Sequence, residues 1–524
     1  MSTRKFGDFF NEDDDDDALV GKLEVVTPSV THVIKTAEEK FNTYGLKTVS
    51  PDALPDTTHK GVAEYLLQHG PAFKYAADNE ALYVWDGARF SLQDSYFAFF
   101  RVLDQLVADV ADALDVERGG KGKRGKKKDD EEETPRVKYL KELLRKLKTK
   151  SFAKDVLEYL KFQPSCICSF KDFDQNDYLF NAANGIVDLR SKMLYKHHPA
   201  AMFTRVSKYS FDPAARVDKF LDLVADVTCQ DVELIEYLQI VLGLCITGEV
   251  GDQLFYIFHG DGNDGKSQMI SCVDAVLGDF AHVVDSKLFL HSPKGFEPPK
   301  YELENLVGKR FVTISEAEKG AKLDLGTLKT ITGESKMPAR QIRSAPIVFE
   351  QKFKVVMLCN DLPEVGTLKR SAWRRIIVIP CEYDVPLEKM VLDLWKEIMR
   401  AEGNGVLTWL VDGAFEYYRQ PLKKRRLPAR VVEAIEEYKM REDELCDFIS
   451  SEFVKDPESE MTFTDVYSVY LKFMKGSKAG DILSRAAFAA KFSEYPFKRV
   501  RKGKERTLYV QGLKEKVIGS DWAL

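Results

Sequence analysis

The sequence lacks any uninterrupted apolar run of about 18 residues or more, so no membrane-spanning helix is predicted. Its first residues include basic ones but no apolar core follows them, and we therefore expect no secretory signal and a soluble, intracellular protein. Cysteine is scarce, with 8 residues in 524, and only Cys166 and Cys168 are close together. Because no second Cys or His pair lies at zinc-like spacing near them, buried free thiols are the favoured interpretation.

Charge of one sign does not dominate the chain as a whole, since the formal net charge is only -6. Two short segments are each dominated by one sign of charge. Residues 12–17 are acidic, whereas residues 118–128 are basic and are followed at once by acidic residues. The first run predicts a flexible acidic tail over residues 1–56. The second predicts a disordered charged loop over 118–135, with a nucleic-acid arm or a nuclear-import patch as the alternative.

The apolar patterns predict an α/β multidomain protein, and the length suggests about three or four domains. The C-terminal part has three short helices and a basic hairpin, which is the pattern of a winged helix. The predicted units begin with a mixed α+β domain at 57–210, a helical segment at 211–250 and an α/β core at 251–385. A helical extension at 386–435, a winged helix at 436–515 and a tail at 516–524 follow.

A glycine-rich turn carries the clearest chemical signal. It follows the strand-like stretch LFYIFH, precedes the helix-like stretch SQMISCVDAVLG, and matches G-x-x-x-x-G-K-[ST]. The N–H groups of such a turn and the positive end of the next helix bind phosphate, while a lysine reaches the β and γ phosphates and a hydroxyl meets Mg²⁺. The sequence therefore predicts a site for a nucleoside triphosphate and magnesium at Gly260, Asp261, Gly262, Asn263, Asp264, Gly265, Lys266 and Ser267.

Polar residues flank three further apolar stretches downstream. Glu316 ends a β-rich run and Glu318 follows two residues later, where a carboxylate would hold the metal or activate water. Asn360 ends the stretch KFKVVMLCN, where an amide could orient the attacking water. Arg374 and Arg375 precede the stretch IIVIP. The structural alternatives at these positions are an exposed acidic turn, a turn asparagine and two surface arginines.

The order GDGNDGKS, ISEAE, ITGESKMPARQIRS, VVMLCN and WRRIIVIP resembles the superfamily 3 helicases of DNA viruses, phages and plasmids. The resemblance is strongest to the helicase half of poxvirus-type primase-helicases, and it covers most of the chain from about residue 57. It implies an AAA+-type α/β core with a helical collar and a hexameric ring. It also implies ATP binding between subunits and 3′-to-5′ translocation along single-stranded DNA.

The resemblance also implies roles for individual residues. Lys266 and Ser267 would be the Walker A lysine and hydroxyl, and Glu316 would be the Walker B acid. Asn360 would be sensor 1. Arg374 would be the preferred arginine finger, with Arg375 as the second candidate. Many ATPases of this type have two adjacent acidic residues, whereas here Ala317 separates Glu316 from Glu318. Which glutamate holds the metal and which polarises water therefore stays open, with Glu316 favoured as indispensable.

Two basic segments are candidates for DNA contact. The resemblance implies a hairpin between the Glu316 and Asn360 strands, projecting into the ring channel, and Arg343 is favoured there over Lys336 and Arg340. Cations on a hairpin neutralise phosphates without reading sequence, and an ordinary charged hairpin is the alternative. In the C-terminal hairpin, with protein docking as the alternative, the candidates are Lys498, Arg499, Arg501, Lys502 and Lys504.

The favoured function is that of an ATP-driven hexameric DNA helicase of a virus or related mobile element, acting where the genome is replicated in the host cell. The alternative is an AAA+ ATPase that binds or packages DNA, or switches at an origin, without processive unwinding. A complete primase in the same chain is disfavoured because the residues before about 210 are too few to hold one. A separate primase or replicative polymerase is the expected partner.

Overall fold

The structure is a computed structural model that describes residues 21, 23–25, 53–118, 133–286, 290, 305–314, 322–333, 336–340, 346–365, 373–442, 444–477, 482–493, 495, 497–502 and 506–516. Its architecture is mixed α/β, with several small sheets, of which the first is mixed and the others are antiparallel, and one larger parallel sheet. None of the helices in these ranges is long and apolar enough to cross a membrane.

The segment from residue 59 to 168 forms a helical unit with a small sheet. Its helices and strands are α1 (His59–His69), β1 (Phe73–Ala76), β2 (Ala81–Trp85), β3 (Phe90–Ser91), α2 (Ser95–Glu117), α3 (Pro135–Leu147), α4 (Lys150–Lys161) and β4 (Ile167–Cys168). The chain forms a hairpin around Asp86-Gly87, because β2 pairs antiparallel with β3. Thr58 fixes the start of α1 by accepting the Gly61 backbone N–H at 3.0 Å. The apolar faces of the four helices meet in one core around Phe99 and Leu140.

A second small sheet follows in the chain. It consists of β5 (Leu179–Ala182), β6 (Gly185–Asp188) and β7 (Met193–Tyr195). β5 and β6 form a hairpin around Asn184-Gly185, and β7 pairs antiparallel with β6. Its Phe180 ring packs 5.0 Å from the Phe280 ring, so this sheet shares a core with the parallel sheet. Val25 forms an isolated antiparallel β-bridge with Tyr195 of β7, and the side chain of Leu23 is buried. Residues 23–25 of the predicted tail therefore contact this sheet, and the flexible tail over residues 1–56 stays a prediction.

The parallel sheet is the centre of the molecule. Its strands are β8 (Phe255–His259), β9 (Ala281–Val284), β10 (Phe311–Ile314), β13 (Lys354–Cys359) and β14 (Ile376–Pro380). They lie in the order β14-β8-β13-β10-β9 and all pair in parallel. Most of their side chains are buried and apolar, as expected of a sheet covered on both faces. All five carboxyl ends meet at one edge, which is where open α/β sheets bind ligands.

Helices cover this sheet. They are α5 (Asp218–Val227), α6 (Val232–Leu244), α7 (Lys266–Leu277), α8 (Leu325–Gly333), α9 (Leu394–Arg419) and α10 (Ala429–Arg441). The long α9 packs on α6 and α7, and α10 packs on β14. The α6–α9 crossing depends on glycine: a Cβ on Gly243 would lie 2.3 Å from the backbone N of Ala414. The polypeptide after β14 is therefore part of the same core as the sheet.

The C-terminal part has its own core. Its elements are α11 (Glu444–Glu452), β15 (Phe453–Thr462), α12 (Phe463–Ser477), α13 (Arg485–Phe492), β16 (Lys498–Lys502) and β17 (Thr507–Glu515), with the strands in the order β15-β17-β16. The three helices and the β16–β17 hairpin are as predicted, whereas β15 was not expected. Phe448, Tyr470 and Phe488 pack together at the centre of this unit.

The cysteines whose side chains the structure describes are free thiols. Those in the interior are Cys166, Cys245, Cys272, Cys359 and Cys381. The prediction of buried thiols is confirmed for these five, whereas Cys168 is half-buried and Cys229 is exposed.

Candidate nucleotide site and nucleic-acid contacts

The phosphate loop, residues 260–267, connects β8 to α7 as predicted. Its backbone has positive φ at Gly262 (97°), Asn263 (54°) and Gly265 (84°). Glycine adopts this left-handed conformation at little cost, and asparagine adopts it more readily than most other residues. Gly260 is needed for a different reason, because a Cβ there would lie 2.0 Å from the carbonyl oxygen of Cys381. The loop is therefore a tight turn whose glycines allow both its conformation and its close packing.

Lys266 points into this loop instead of into solvent. The residue is 4% exposed. Its Nζ donates to Asp264 Oδ2 at 2.6 Å, to Asn360 Oδ1 at 2.8 Å and to the Gly260 carbonyl at 3.1 Å. The structure thus brings together Lys266 and Asn360, which lie 94 positions apart in sequence. Ser267 is exposed beside them at the first turn of α7.

Lys266 and Asn360 line a cavity of about 820 Å³ at the carboxyl ends of the strands of the parallel sheet. Thr313 and Ile314, the last residues of β10, line one side of it. Leu223 of α5 and Leu394 of α9 line another side. A cavity of this size is large enough for a nucleotide. It has a polar end at the loop, and its walls combine apolar residues with charged ones, among them Asp222, Asp226 and Glu397.

The tip of the phosphate loop is held against the chain that follows β14. Asn263 Nδ2 donates to the Val385 carbonyl at 2.9 Å, and the Val385 backbone N–H donates to the Asn263 carbonyl at 3.0 Å. The segment from residue 385 to 394 and helix α5 were not predicted as parts of the site. No local signal in the sequence indicates them, because folding alone brings them to the loop.

Burial changes the titration of two groups near the loop. It lowers the pKa of His259, which ends β8, so this imidazole is neutral at pH 7. It raises the pKa of Asp274, which lines the cavity from α7, against the opposing effect of Lys309. The positive charge closest to the centre of the loop is therefore that of Lys266 and not that of His259.

The predicted acidic residues Glu316 and Glu318 lie outside the described residues. The strand predicted to precede them is present as β10, which ends at Ile314 between β13 and β9. Their assignment as metal ligand and water activator stays a prediction.

The two predicted arginines directly precede β14 and so lie at the amino ends of the strands of the parallel sheet, opposite the phosphate loop. Arg374 is exposed. Arg375 is partly buried: its Nη1 donates to Thr332 Oγ1 at 2.8 Å, and its carbonyl accepts the Phe255 backbone N–H at 2.7 Å. The adjacent arginines therefore differ in environment: Arg375 contacts α8 through Thr332, whereas Arg374 is exposed.

The predicted hairpin between β10 and β13 is confirmed as a backbone feature. β11 (Lys336–Arg340) pairs antiparallel with β12 (Pro346–Glu350). Lys336 is exposed at the base of the hairpin, beside a cavity of about 240 Å³ that Arg205 and Lys352 also line. The side chain of Arg340 and the whole of Arg343 lie outside the described residues.

The C-terminal cations are exposed on β16. Lys498, Arg499 and Arg501 face solvent, and Lys504 lies outside the described residues. Lys502 is neutralised in part, because its Nζ lies 2.5 Å from Glu460 Oε2 on β15. The unpredicted strand β15 thus reduces the positive charge at one of the five predicted positions.

Comparison with known proteins gives matches in two parts of the chain. Residues 62–229 match the family described as D5 N terminal like, and residues 258–375 match a family of unknown function, DUF5906. "Putative helicase L207/L206" of Acanthamoeba polyphaga mimivirus is 24% identical over 336 residues, which cover 59% of this chain and 34% of that protein. "Putative helicase 184R" of Invertebrate iridescent virus 6 is 26% identical over 338 residues, 56% of this chain and 34% of that protein.

The chain therefore spans about a third of the length of these curated relatives. A solved structure described as the A form apo structure of NrS-1 C terminal region aligns with 87% of this chain and 100% of its own, at 9% identity and a TM-score of 0.45. The sequence matches confirm the resemblance that the motif order predicts: this chain is similar to viral proteins named as helicases, and its residues 62–229 match the D5 N-terminal-like family.

Proposed function

We propose that this chain is an ATP-hydrolysing DNA helicase that works as a hexameric ring during replication of a viral genome. The observation that carries the proposal is the contact of Lys266 Nζ with Asn360 Oδ1 at 2.8 Å, at the carboxyl edge of a parallel sheet. A loop lysine and a neighbouring strand-end amide are suited to holding a terminal phosphate and orienting water beside it. The similarity to viral proteins named as helicases supports the same function.

The residues around the cavity fit a nucleoside triphosphate with magnesium. The loop offers backbone N–H groups and a buried amine, and these already bind one anion, the Asp264 carboxylate. The exposed hydroxyl of Ser267 would bind the metal, together with Glu316, while Glu318 is the other candidate for activating water. ATP supplies the free energy for movement, and these residues hold it in place.

The position of Arg374 supports assembly into a ring. Arg374 precedes β14 and so lies at the amino ends of the strands, whereas the phosphate loop lies at their carboxyl ends. A strand of five residues is about 16 Å long, which separates the two positions. Arg374 is therefore too far from the phosphate site of its own chain. In a ring it would enter the site of a neighbouring subunit and stabilise the charge that develops on the transferred phosphate.

Single-stranded DNA is the proposed substrate of the motor. The hairpin β11–β12 carries Lys336, Arg340 and Arg343, which would contact the backbone inside the ring. Exposed Arg499 and Arg501 of β16 would add contacts from the C-terminal unit, for which we propose the role of a winged helix. Contacts to phosphate without base recognition suit a motor that moves over any sequence.

A strand-displacement assay on forked DNA tests the proposal. With ATP and magnesium, the wild-type chain should separate the strands. Lys266→Ala should abolish both hydrolysis and separation, because the phosphates lose their buried cation. Lys439→Ala is the matched control: it removes a lysine that pairs with Glu436 on α10 and does not line the cavity, and it should leave both activities unchanged.

Two outcomes would change the conclusion. Hydrolysis without strand separation would favour the alternative, an AAA+ ATPase that binds DNA without unwinding it. Equal hydrolysis by the wild-type chain and by Lys266→Ala would contradict the assignment of the phosphate loop itself.

A further inference from the structure

The carboxylate of Asp264 lies inside the phosphate loop rather than in solvent. Asp264 is 3% exposed. Its Oδ2 lies 2.6 Å from Lys266 Nζ, and its Oδ1 accepts the Lys266 backbone N–H at 3.1 Å. One side chain therefore binds both the amine and the amide N–H at the start of α7.

These two donors are of the kind that bind phosphate in such a loop. A carboxylate that satisfies both is a chemical stand-in for a phosphate group. A second anion cannot bind the same buried amine without strong repulsion, because charges away from water are weakly screened. A triphosphate that enters the loop must therefore separate Lys266 from Asp264.

We propose that Asp264 is a positioning residue that holds Lys266 in the nucleotide-free chain and competes with the triphosphate for it. The inference rests on the proposed function, because it concerns the same site. Nucleotide binding exchanges the carboxylate for phosphate oxygens at Lys266. Asn360 is neutral and stays available as a partner of the amine throughout.

Competition differs from a purely structural ion pair in the sign of its effect. If Asp264 only stabilised the loop, neutralising it would loosen the loop and weaken nucleotide binding. If Asp264 competes with phosphate, neutralising it releases Lys266 and strengthens binding. The direction of the change in affinity therefore separates the two roles.

Asp264→Asn is the variant that tests the inference, because the amide keeps the shape of the side chain and removes its charge. We expect the dissociation constants of a fluorescent ATP analogue and of ADP, measured by titration with magnesium, to fall about tenfold. Asp264→Glu keeps the charge and should bind no more tightly than the wild-type chain.

The matched control is Asp177→Asn, which neutralises a carboxylate paired with Lys352 at 2.7 Å, at the opposite edge of the sheet. It should leave the dissociation constants within twofold of wild type. Thermal unfolding of every variant verifies the fold, and Asp264→Ala replaces Asp264→Asn if the latter does not fold.

Equal or weaker nucleotide binding by a folded Asp264→Asn or Asp264→Ala chain would overturn the inference and leave the proposed function standing. Absence of nucleotide binding by wild type and variant alike would overturn the proposed function, and the inference with it. Tighter binding by Asp264→Asn alone, with the Asp177→Asn control unchanged, is the result expected.

Discussion

Lys354 places a buried amine at the edge of the sheet opposite the phosphate loop. It begins β13, is 5% exposed, and its Nζ donates to the carbonyl oxygens of Thr247 and Lys352. Burial lowers the pKa of Lys354 to about 7, and nearby Arg310 acts in the same direction. Cys245, Asp177 and Glu249 oppose this shift, but burial dominates.

The lowered pKa makes stability depend on pH. Between pH 7 and about 10 the folded chain binds fewer protons at Lys354 than the unfolded chain, so the free energy of unfolding rises with pH. One such group contributes a slope of up to about 1.4 kcal/mol per pH unit. We expect Lys354→Met to reduce the slope between pH 7 and 9, measured by urea unfolding at several pH values.

The comparison of slopes is the useful readout, because Lys354→Met also leaves two carbonyl groups without their donor and lowers stability at every pH. Parallel pH profiles for the two chains would show that Lys354 is charged in the folded state throughout this range.

At the scale of elements, Arg374 and Arg375 show that neighbouring side chains at one strand end can lie in different environments. Arg375 contacts Thr332 of α8 and thereby ties that helix to the start of β14. Arg374 is exposed at the same place. The two candidates therefore differ in environment, and the choice between them as arginine finger stays a prediction.

Substitution of each arginine should give opposite results. Arg375→Ala should lower the free energy of unfolding by about 1–2 kcal/mol, because a partly buried hydrogen bond and its packing are lost. Arg374→Ala should leave stability within about 0.5 kcal/mol, as is usual for surface substitutions. It should nevertheless reduce ATP hydrolysis at least a hundredfold while nucleotide binding persists.

Chemical denaturation and steady-state ATPase assays on the two variants measure these effects. Wild-type hydrolysis by a folded Arg374→Ala chain would contradict a site completed by a neighbouring subunit through that residue.

Elements with local signals could be predicted from the sequence. The strand, loop and helix around Lys266 were expected, as were three short C-terminal helices. Two of these helices begin after Thr462 and Ser484, whose hydroxyls accept the backbone N–H groups of Asp465 and Ala487. β15 was missed because its sequence, FVKDPESEMT, is polar and contains proline, and only pairing with the distant β17 makes it a strand.

The same distinction applies to the candidate site. The motif predicts Lys266 and the end of the stretch KFKVVMLCN predicts Asn360, but the walls formed by Leu223 and Leu394 depend on contacts distant in sequence. The position of Asp264 depends on a side-chain conformation that a motif does not specify. An acidic residue within an anion-binding loop was, however, a local conflict that could have indicated a special role.

At the scale of the whole molecule, the central sheet separates two kinds of group. The phosphate loop and Asn360 lie at its carboxyl edge, whereas Arg374 and the base of the β11–β12 hairpin connect to its amino edge. Buried Arg310 ties this amino edge to the preceding segment by donating to the carbonyls of Ile246 and Asn176 at 2.7 Å each. Under the proposed function, nucleotide and DNA would therefore communicate through the strands between these edges.

The C-terminal unit gives the last prediction. Arg499 and Arg501 alternate with Val500 along β16 and so lie on one face of the strand, whereas Lys502 pairs with Glu460. If this face contacts DNA phosphates, each arginine displaces about one counterion from single-stranded DNA. Arg499→Ala and Arg501→Ala should therefore each lower the salt slope of log affinity by about 0.7.

Lys502→Ala is the matched control within the same strand, because its charge is already offset by Glu460 and its loss should change the slope less. Fluorescence anisotropy of a labelled single strand over a series of salt concentrations measures all three variants. A wild-type slope in both arginine variants would mean that the face does not contact phosphate. Since these side chains are exposed and their loss leaves the core around Phe448, Tyr470 and Phe488 intact, that result would instead favour docking of another protein.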